Sequence, residues 1–385
     1  MRTIEGVLAA LALWLCAAVA CAAPRIGVVT MQPGEIFWER FGHNAIVVDD
    51  PEDGPPVSYN FGFFDLDEPG FHRRFVRGEM EYALVALPLA QDLRYYEDVG
   101  RGAFIQWLDL RPEQARRLAR ALAENARPEN ARYRYDYFTD NCSTRVRDAL
   151  DLALDGALQR QLSVRSQGNT YRSEAVRLAS PAPWLWLGFD LGLGPYADRP
   201  LSRWEEGFVP MRLADALREV RNGDGRPLVL REEVLLPHRI APEPPERPRR
   251  VWAWLLAGLA LAGAILLAGR RHPRLLAAAA LPFWTAAGAL GLTLLFLWCG
   301  TTHRAAWANH NLLLLGPQAL ALLPGGWRLL RGRAPGRGFP RLLALNAGLA
   351  LLTLPLQLLP GAQYQLPWIA LLLPVHLALA RALRR

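Results

Sequence analysis

The distribution of acidic residues divides this chain into two parts that prefer different surroundings. From Val251 to Arg385 the sequence holds twelve arginines and no Asp or Glu, which leaves residues 1–250 with a net charge of −4. Five long apolar stretches occur in the acid-free part: Val251 to Gly269, Leu275 to Trp298, Ala305 to Leu323, Leu342 to Leu359 and Leu366 to Ala380. The first, second and fourth have about the length that a hydrocarbon core of roughly 30 Å requires. Residues 251–385 are therefore predicted to form an α-helical membrane domain of about five transmembrane helices.

The arginines of this part indicate which way the chain faces. If successive spans cross the membrane in opposite directions, Arg270, Arg271 and Arg274 lie on one side of it, together with the later arginine clusters. The short loops on the other side then contain only Arg304. Since short cytoplasmic loops are enriched in arginine, the domain that precedes the membrane part is predicted to lie outside the cytoplasm. The leader, residues 1–23, agrees, because its apolar run is followed by small residues as in a secretory signal peptide. We expect an exported domain at residues 24–236 and a linker at 237–250.

Composition excludes several classes of function. The sequence contains no lysine, which rules out a lysine Schiff base, a P-loop lysine and a Ser-Lys dyad. Nucleic-acid binding lacks support, because the positive charge belongs to the membrane part and not to one face of a folded domain. No pair of His or Cys residues has the spacing of a zinc site, so neither a metal nor another cofactor is predicted.

The exported domain shows the patterns of both strands and helices, which predicts an α+β fold. Strands are expected at Ile26 to Met31, from His43 to Val48 and at Val57 to Phe61. A helix is expected after Pro112, where apolar residues recur at helical spacing. A second helix is expected from Cys142 onward, because Thr139, Asp140 and Asn141 can cap it and apolar residues again recur.

Cys142 is the candidate nucleophile of this domain. Cys16 and Cys21 lie in the leader and Cys299 beside a membrane stretch, so a thiol in the first turn of a soluble helix has no evident disulfide partner. A helix N-terminus stabilises a thiolate. Its backbone amides, with help from the Asn141 side chain, are suited to hold the oxyanion formed when an acyl carbonyl is attacked.

His43 is the candidate base, since it begins a predicted strand and follows a glycine that permits close approach. His72 lies in a polar run and His238 at the linker. Asn60, on the next predicted strand, is the candidate that orients the imidazole. An asparagine near a turn can equally well bond its own backbone, and a histidine is more often structural than catalytic.

Five segments, in order, resemble the periplasmic domain of the Lnb lipoprotein N-acyltransferase family. They are Pro33-Gly34, Phe41-Gly42-His43, Tyr59-Asn60-Phe61-Gly62-Phe63-Phe64-Asp65, Tyr135-Asp136-Tyr137-Phe138 and Asp140-Asn141-Cys142-Ser143-Thr144. The resemblance covers roughly residues 25–215. A further segment, Thr301-Thr302-His303 with Asn309-His310-Asn311, resembles a loop between the membrane spans of related proteins.

The resemblance implies a circularly permuted papain-like domain in the periplasm, attached to the bacterial inner membrane. It also implies transfer of a fatty acyl chain within a lipoprotein, from the diacylglyceryl group to the N-terminal amine. The expected partner is therefore a membrane lipid or a lipoprotein, with an amine or water as acceptor. Two alternatives stay open: a thiol amidase or peptidase that acts on cell-wall peptides, and a non-catalytic envelope assembly protein in which Cys142 is bonded to Cys299.

Overall fold

The computed structural model describes residues 23–246 and 248–384. Residues 1–22 of the predicted signal peptide lie outside this range. The described chain divides into two compact units. Residues 23–64, 81–165 and 203–242 form the first, called here the sheet unit; residues 65–80, 166–202, 243–246 and 248–384 form the second, called the membrane unit.

The sheet unit is built on an antiparallel sheet of seven strands in the order β6-β4-β3-β2-β1-β5-β7. Its strands are β1 Arg25–Met31, β2 His43–Asp49, β3 Val57–Phe63, β4 Glu81–Pro88, β5 Ala103–Leu108, β6 Arg132–Arg134 and β7 Val229–Leu236. The predicted strands near residues 26, 43 and 57 are confirmed as β1, β2 and β3, with β2 beginning at His43. The α+β class is confirmed as well.

The central strands are buried on both faces, which explains their nearly continuous apolar sequence. On β1, Ile26 and Val28 enter the larger core, whereas Val29 and Met31 enter a smaller core on the opposite face. Side chains alternate between the two faces of a strand. Residues of one strand can therefore contact elements on either side of the sheet.

Helices fill the connections between the strands and occur in both units. Up to residue 219 they are α1 Phe71–Arg77, α2 Leu89–Asp98, α3 Pro112–Asn125, α4 Pro128–Ala131, α5 Cys142–Ala153, α6 Ala157–Leu162, α7 Tyr171–Ala179, α8 Pro183–Gly192, α9 Arg203–Glu206 and α10 Pro210–Glu219. Both helices predicted from spacing are confirmed, as α3 and α5. In α5 the helical repeat buries Val146, Leu150 and Ala153 in the larger core, and this fixes the position of the first turn at Cys142.

The membrane unit contains three helices long and apolar enough to cross a bilayer, judged over the residues that the structure describes: α11 Val251–Arg271, α12 Pro273–Cys299 and α14 Phe339–Leu356. Two shorter helices, α13 Leu323–Leu330 and α15 Leu366–Ala382, belong to the same unit. The stretch from Ala305 to Leu323 is not one helix but a series of 3-10 turns, at Arg304–Ala306, His310–Leu313 and Pro317–Leu322. Gly316 and Pro317 interrupt helical hydrogen bonding there. The count of about five transmembrane helices stays a prediction.

Residues 166–202 pack within the membrane unit through buried polar contacts. Asn309 donates from Nδ2 to the carbonyl oxygens of Leu191 (2.8 Å) and Gly192 (2.9 Å). Trp368 donates from Nε1 to Asp190 at 2.8 Å. Part of the sequence before residue 236 therefore belongs to the same compact unit as the apolar helices.

Candidate active site

His43 and Asn60 meet at one end of the sheet. Strand β2 begins at His43, and its antiparallel partner β3 ends shortly after Asn60. The imidazole Nε2 of His43 lies 3.0 Å from Oδ1 of Asn60, which identifies it as the donor of a hydrogen bond. The structure therefore brings together the two residues that were predicted as base and orienting group, and it leaves Nδ1 of His43 available for a second contact.

Cys142 is presented at the same end of the sheet by the cap of α5. Asn141 accepts the backbone N–H of Thr144 on Oδ1 at 2.9 Å, and Thr144 accepts the backbone N–H of Asn141 on Oγ1 at 2.8 Å. This reciprocal capping stops the helix from fraying at its first turn. Cys142 is consequently held as the first helical residue, and its own backbone N–H has no acceptor within the helix.

The Asn141 side chain is fully engaged in this cap. Its Nδ2 donates to the carbonyl oxygens of Tyr137 (3.0 Å) and Phe208 (2.9 Å). Both N–H groups of the amide therefore hold protein carbonyls, so Asn141 fixes the position of Cys142 and has no further N–H to offer a bound group.

The thiol of Cys142 and the imidazole of His43 lie close enough to shift each other's pKa. Burial by itself would raise the pKa of the thiol, but the adjacent imidazolium, with the backbone N–H groups of Asn44 and Ser143, lowers the pKa of Cys142 below its ordinary value.

The converse holds for the imidazole. Burial by itself would lower the pKa of His43, but the charge of Cys142, followed by that of Asp92, raises it above its ordinary value. Each group therefore shifts the pKa of the other toward its charged form, and the thiolate is the form in which a cysteine acts as a nucleophile.

Asp92 is a member of the site that the sequence did not reveal. This buried carboxylate, on α2, accepts hydrogen bonds from Nδ2 of Asn60 at 2.9 Å and from Oγ of Ser58 at 2.7 Å. It therefore holds the Asn60 amide with Oδ1 turned toward His43. No local motif marks Asp92, and only the packing of α2 against β3 places it there.

An aromatic cluster borders the thiol on the side of β3. Gly62 has a φ of +95°, and a Cβ placed on it would lie 3.5 Å from Cβ of Cys142 and 3.9 Å from Oη of Tyr133. The Tyr133 ring is held under the Arg145 guanidinium at 4.0 Å. Its hydroxyl is buried and has no hydrogen-bond partner among the described residues, so an unpaired donor and Cys142 both border Gly62.

The remaining candidates lie elsewhere or have other roles. His238 accepts the backbone N–H of Gly102 on Nδ1 at 2.9 Å and thus joins the residue before β5 to the segment after β7. Cys142 and Cys299 are both free thiols, so the structure contains no bond between them. Within the described ranges, no group of His, Cys, Asp and Glu side chains is arranged to hold a metal ion.

Comparison with known protein families matches two segments of the chain. Residues 12–177 match the Lnb N-terminal periplasmic domain, and residues 247–380 match the Lnb transmembrane domain. No curated protein and no solved structure shows significant similarity to the chain. The two matches include all the residues of the site and the apolar helices.

Proposed function

The chain belongs to the Lnb family of lipoprotein-modifying membrane enzymes, and from this premise we propose that it is a membrane-anchored thiol acyltransferase. It takes a fatty acyl chain from the ester of a lipid or lipoprotein onto Cys142 and passes it to an amine, the N-terminus of a lipoprotein, or to water. The matched periplasmic and transmembrane domains make it an inner-membrane protein whose N-terminal domain is periplasmic.

The chemistry follows from the thiolate and imidazolium pair. The Cys142 thiolate attacks the ester carbonyl, forming a C–S bond and a tetrahedral oxyanion. Collapse breaks the C–O bond, and His43 gives its proton to the departing alkoxide, leaving an acyl thioester and a lyso-lipid. The neutral imidazole then takes a proton from the incoming amine, which attacks the thioester and releases Cys142 as thiolate.

Two donors are positioned to stabilise the oxyanion in this proposal. One is the backbone N–H of Cys142, which has no acceptor within the helix. The other is the hydroxyl of Tyr133, which is buried without a partner and borders Gly62 together with Cys142. Donors fixed in advance at the place where charge develops lower the barrier, because they need no reorganisation during the reaction.

The observation that carries the proposal is the proximity of the Cys142 thiol to His43, whose imidazole is hydrogen-bonded to Asn60, which is itself held by Asp92. The order of histidine strand before cysteine helix also supports the proposed permuted papain-like fold. The same residues would serve an amidase, but the apolar helices of the membrane unit favour a substrate that resides in a bilayer.

A lipopeptide assay tests the function. The full-length protein in detergent is incubated with a synthetic diacylglyceryl lipopeptide that carries a free N-terminal amine. Transfer within one molecule leaves its mass unchanged, so tandem mass spectrometry must locate the chains. We expect an N-acylated lyso-lipopeptide from the wild type and from Cys299→Ala, and none from Cys142→Ala.

Two other outcomes have different meanings. Free fatty acid together with a lyso-lipopeptide would identify water as the acceptor. An unchanged lipopeptide, combined with cleavage of a cell-wall peptide that depends on Cys142, would replace the acyltransferase proposal with the amidase.

A further inference from the structure

The segment between β3 and β4 is part of the membrane unit, although the strands on either side of it belong to the sheet unit. This segment, residues 65–80, contains the short helix α1. Its contacts are made with the loop that follows α12. Since α11 leads from the periplasmic side into the membrane and α12 returns, Cys299 at the end of α12 lies at the periplasmic surface of the bilayer. Arg270, Arg271 and Arg274 at the opposite end agree with this direction.

The loop after α12 caps the C-terminus of α1. The backbone N–H of Thr302 donates to the carbonyl of Arg77 at 2.8 Å, and its hydroxyl donates to the carbonyl of Gly78 at 2.8 Å. The His303 ring donates from Nε2 to the carbonyl of Phe75 at 3.1 Å. These bonds satisfy carbonyl groups that a helix end leaves unpaired. They fix α1 at the periplasmic end of a membrane-spanning helix.

Gly78 is required for this contact. Its φ is +74°, and a Cβ at this position would lie only 3.0 Å from the backbone nitrogen of His303 and from Oγ1 of Thr302. A side chain would therefore separate the helix end from the loop. The close approach indicates that the contact between α1 and this loop is a specific part of the fold of the membrane unit.

The outer face of α1 has the composition of an interfacial helix. Phe75 and Val76 are 36% and 52% exposed, and the exposed Arg73 and Arg77 lie beside them in the same helix. The neighbouring acidic residues are engaged in part, since Glu68 pairs with Arg74 and Glu79 with Arg77. Apolar side chains flanked by arginines suit the boundary between headgroups and acyl chains. Exposed tryptophans at 298 and 307 add aromatic side chains of the kind enriched at this depth.

We propose that α1 lies in the headgroup boundary of the periplasmic leaflet, with Phe75 and Val76 toward the acyl chains and Arg73 and Arg77 among the phosphates. The partner is the phospholipid bilayer itself, because α1 continues the surface of a membrane span to which it is hydrogen-bonded. This inference does not depend on the proposed acyl transfer, since it uses no residue of the thiol site.

The covalent chain returns to the sheet unit at both ends of segment 65–80. Segment 65–80 begins directly after Phe64 and ends directly before Glu81. Phe64 and Tyr82 stack at 4.9 Å and bring the two ends of the segment together.

The depth of α1 is measured with an environment-sensitive label. All four native cysteines are replaced, which also removes any acyl transfer through Cys142, and a single cysteine is introduced by Val76→Cys and labelled with nitrobenzoxadiazole. The protein is reconstituted in phosphatidylcholine vesicles with or without lipids that carry a nitroxide near the headgroup end of the acyl chain. We expect a blue-shifted emission, strong quenching by the nitroxide and several-fold weaker quenching by aqueous iodide than at a control position.

Leu152 in α5 supplies the matched control, because it is an apolar helical residue that is 73% exposed in the sheet unit. The label introduced by Leu152→Cys should be quenched by iodide and not by the nitroxide. Equal behaviour of the two labels would overturn the proposal.

A second comparison tests the anchor. Thr302→Ala combined with His303→Ala removes the side-chain bonds to α1, and the label at position 76 should then become several-fold more accessible to iodide. Unchanged lipid quenching in this variant would contradict a role of the loop in holding α1.

Discussion

The two units each contain a buried polar network, and the networks differ in what they leave unsatisfied. In the membrane unit the Arg172 guanidinium, 1% exposed, donates to both carboxylate oxygens of Asp198 and to the carbonyls of Asp190 and Leu193. In the sheet unit the network ends at the Cys142 thiol and beside the unpaired hydroxyl of Tyr133. A network whose groups are all paired stabilises a fold, whereas one that ends in unpaired reactive groups is ready for a substrate.

The largest expected effect concerns the reactive end of the sheet-unit network. Cys142→Ala and His43→Ala should each reduce turnover of the lipopeptide by about 10⁴-fold or more, because they remove the nucleophile or its base. The thermal unfolding midpoint should change little, since Cys142 packs only against the edge of the larger core and His43 is not part of it. Residual turnover near the wild-type rate in His43→Ala would show that the base lies elsewhere.

The opposite pattern is expected for the paired network of the membrane unit. Arg172→Met leaves Asp198 as an unpaired buried carboxylate, which costs about 3–5 kcal/mol of stability. A thermal melt in detergent should show the loss, whereas alkylation of Cys142 at low temperature should be unchanged. Arg231→Met is the control, because its exposed pair with Glu233 contributes only about 0–1 kcal/mol. A melt of Arg172→Met like that of the control would refute the structural role.

The unpaired hydroxyl of Tyr133 gives the next prediction. Tyr133→Phe should lower kcat by about 10²- to 10³-fold if the hydroxyl donates to the oxyanion. Stability should stay constant or rise, since a buried hydroxyl without a partner costs about 1–3 kcal/mol. Tyr59→Phe alters a tyrosine of β3 in the larger core and should retain its rate. A Tyr133→Phe variant that is less stable and fully active would assign the hydroxyl a purely structural function.

The smallest effect is expected from the charge of Asp92. Alkylation by iodoacetamide requires the thiolate, so lowering the pKa of Cys142 moves the alkylation profile to lower pH than in the denatured protein. Asp92→Asn removes a charge that helps to raise the pKa of His43. The substitution therefore lowers the pKa of His43 and shifts the alkylation profile of Cys142 back toward higher pH. His43→Ala should shift it further, and an unchanged profile in both variants would exclude the ion pair.

These residues also show how far the sequence alone predicts the site. His43 and Cys142 were predictable because a strand start and a helix cap are local signals, and the motifs around them are specific. Asp92 and Tyr133 were not, since Asp92 reaches Asn60 only through the packing of α2 on the sheet, and Tyr133 reaches the site only through the pairing of β6 with β4. Local spacing contains no information on such contacts.

The membrane unit shows the same limit. Hydropathy predicted the spans at α11, α12 and α14 because length and apolar composition suffice for a spanning helix. It also predicted a transmembrane helix from Ala305 to Leu323, but the structure has 3-10 turns there, around Asn309 and Asn311. Apolar composition indicates surroundings but not the backbone conformation, and the buried asparagines there bind carbonyls of residues 191–193.

The account depends most on an acyl thioester at Cys142. The full-length protein, mixed with a diacylglyceryl lipopeptide whose N-terminal amine is blocked, should accumulate this intermediate because the acceptor is absent. Intact mass spectrometry is predicted to show an adduct of one fatty acyl chain on the wild type and on Cys299→Ala. Neutral hydroxylamine should remove it, and Cys142→Ala should lack it. A wild-type protein that stays unmodified while it still converts the unblocked lipopeptide would contradict the thioester mechanism.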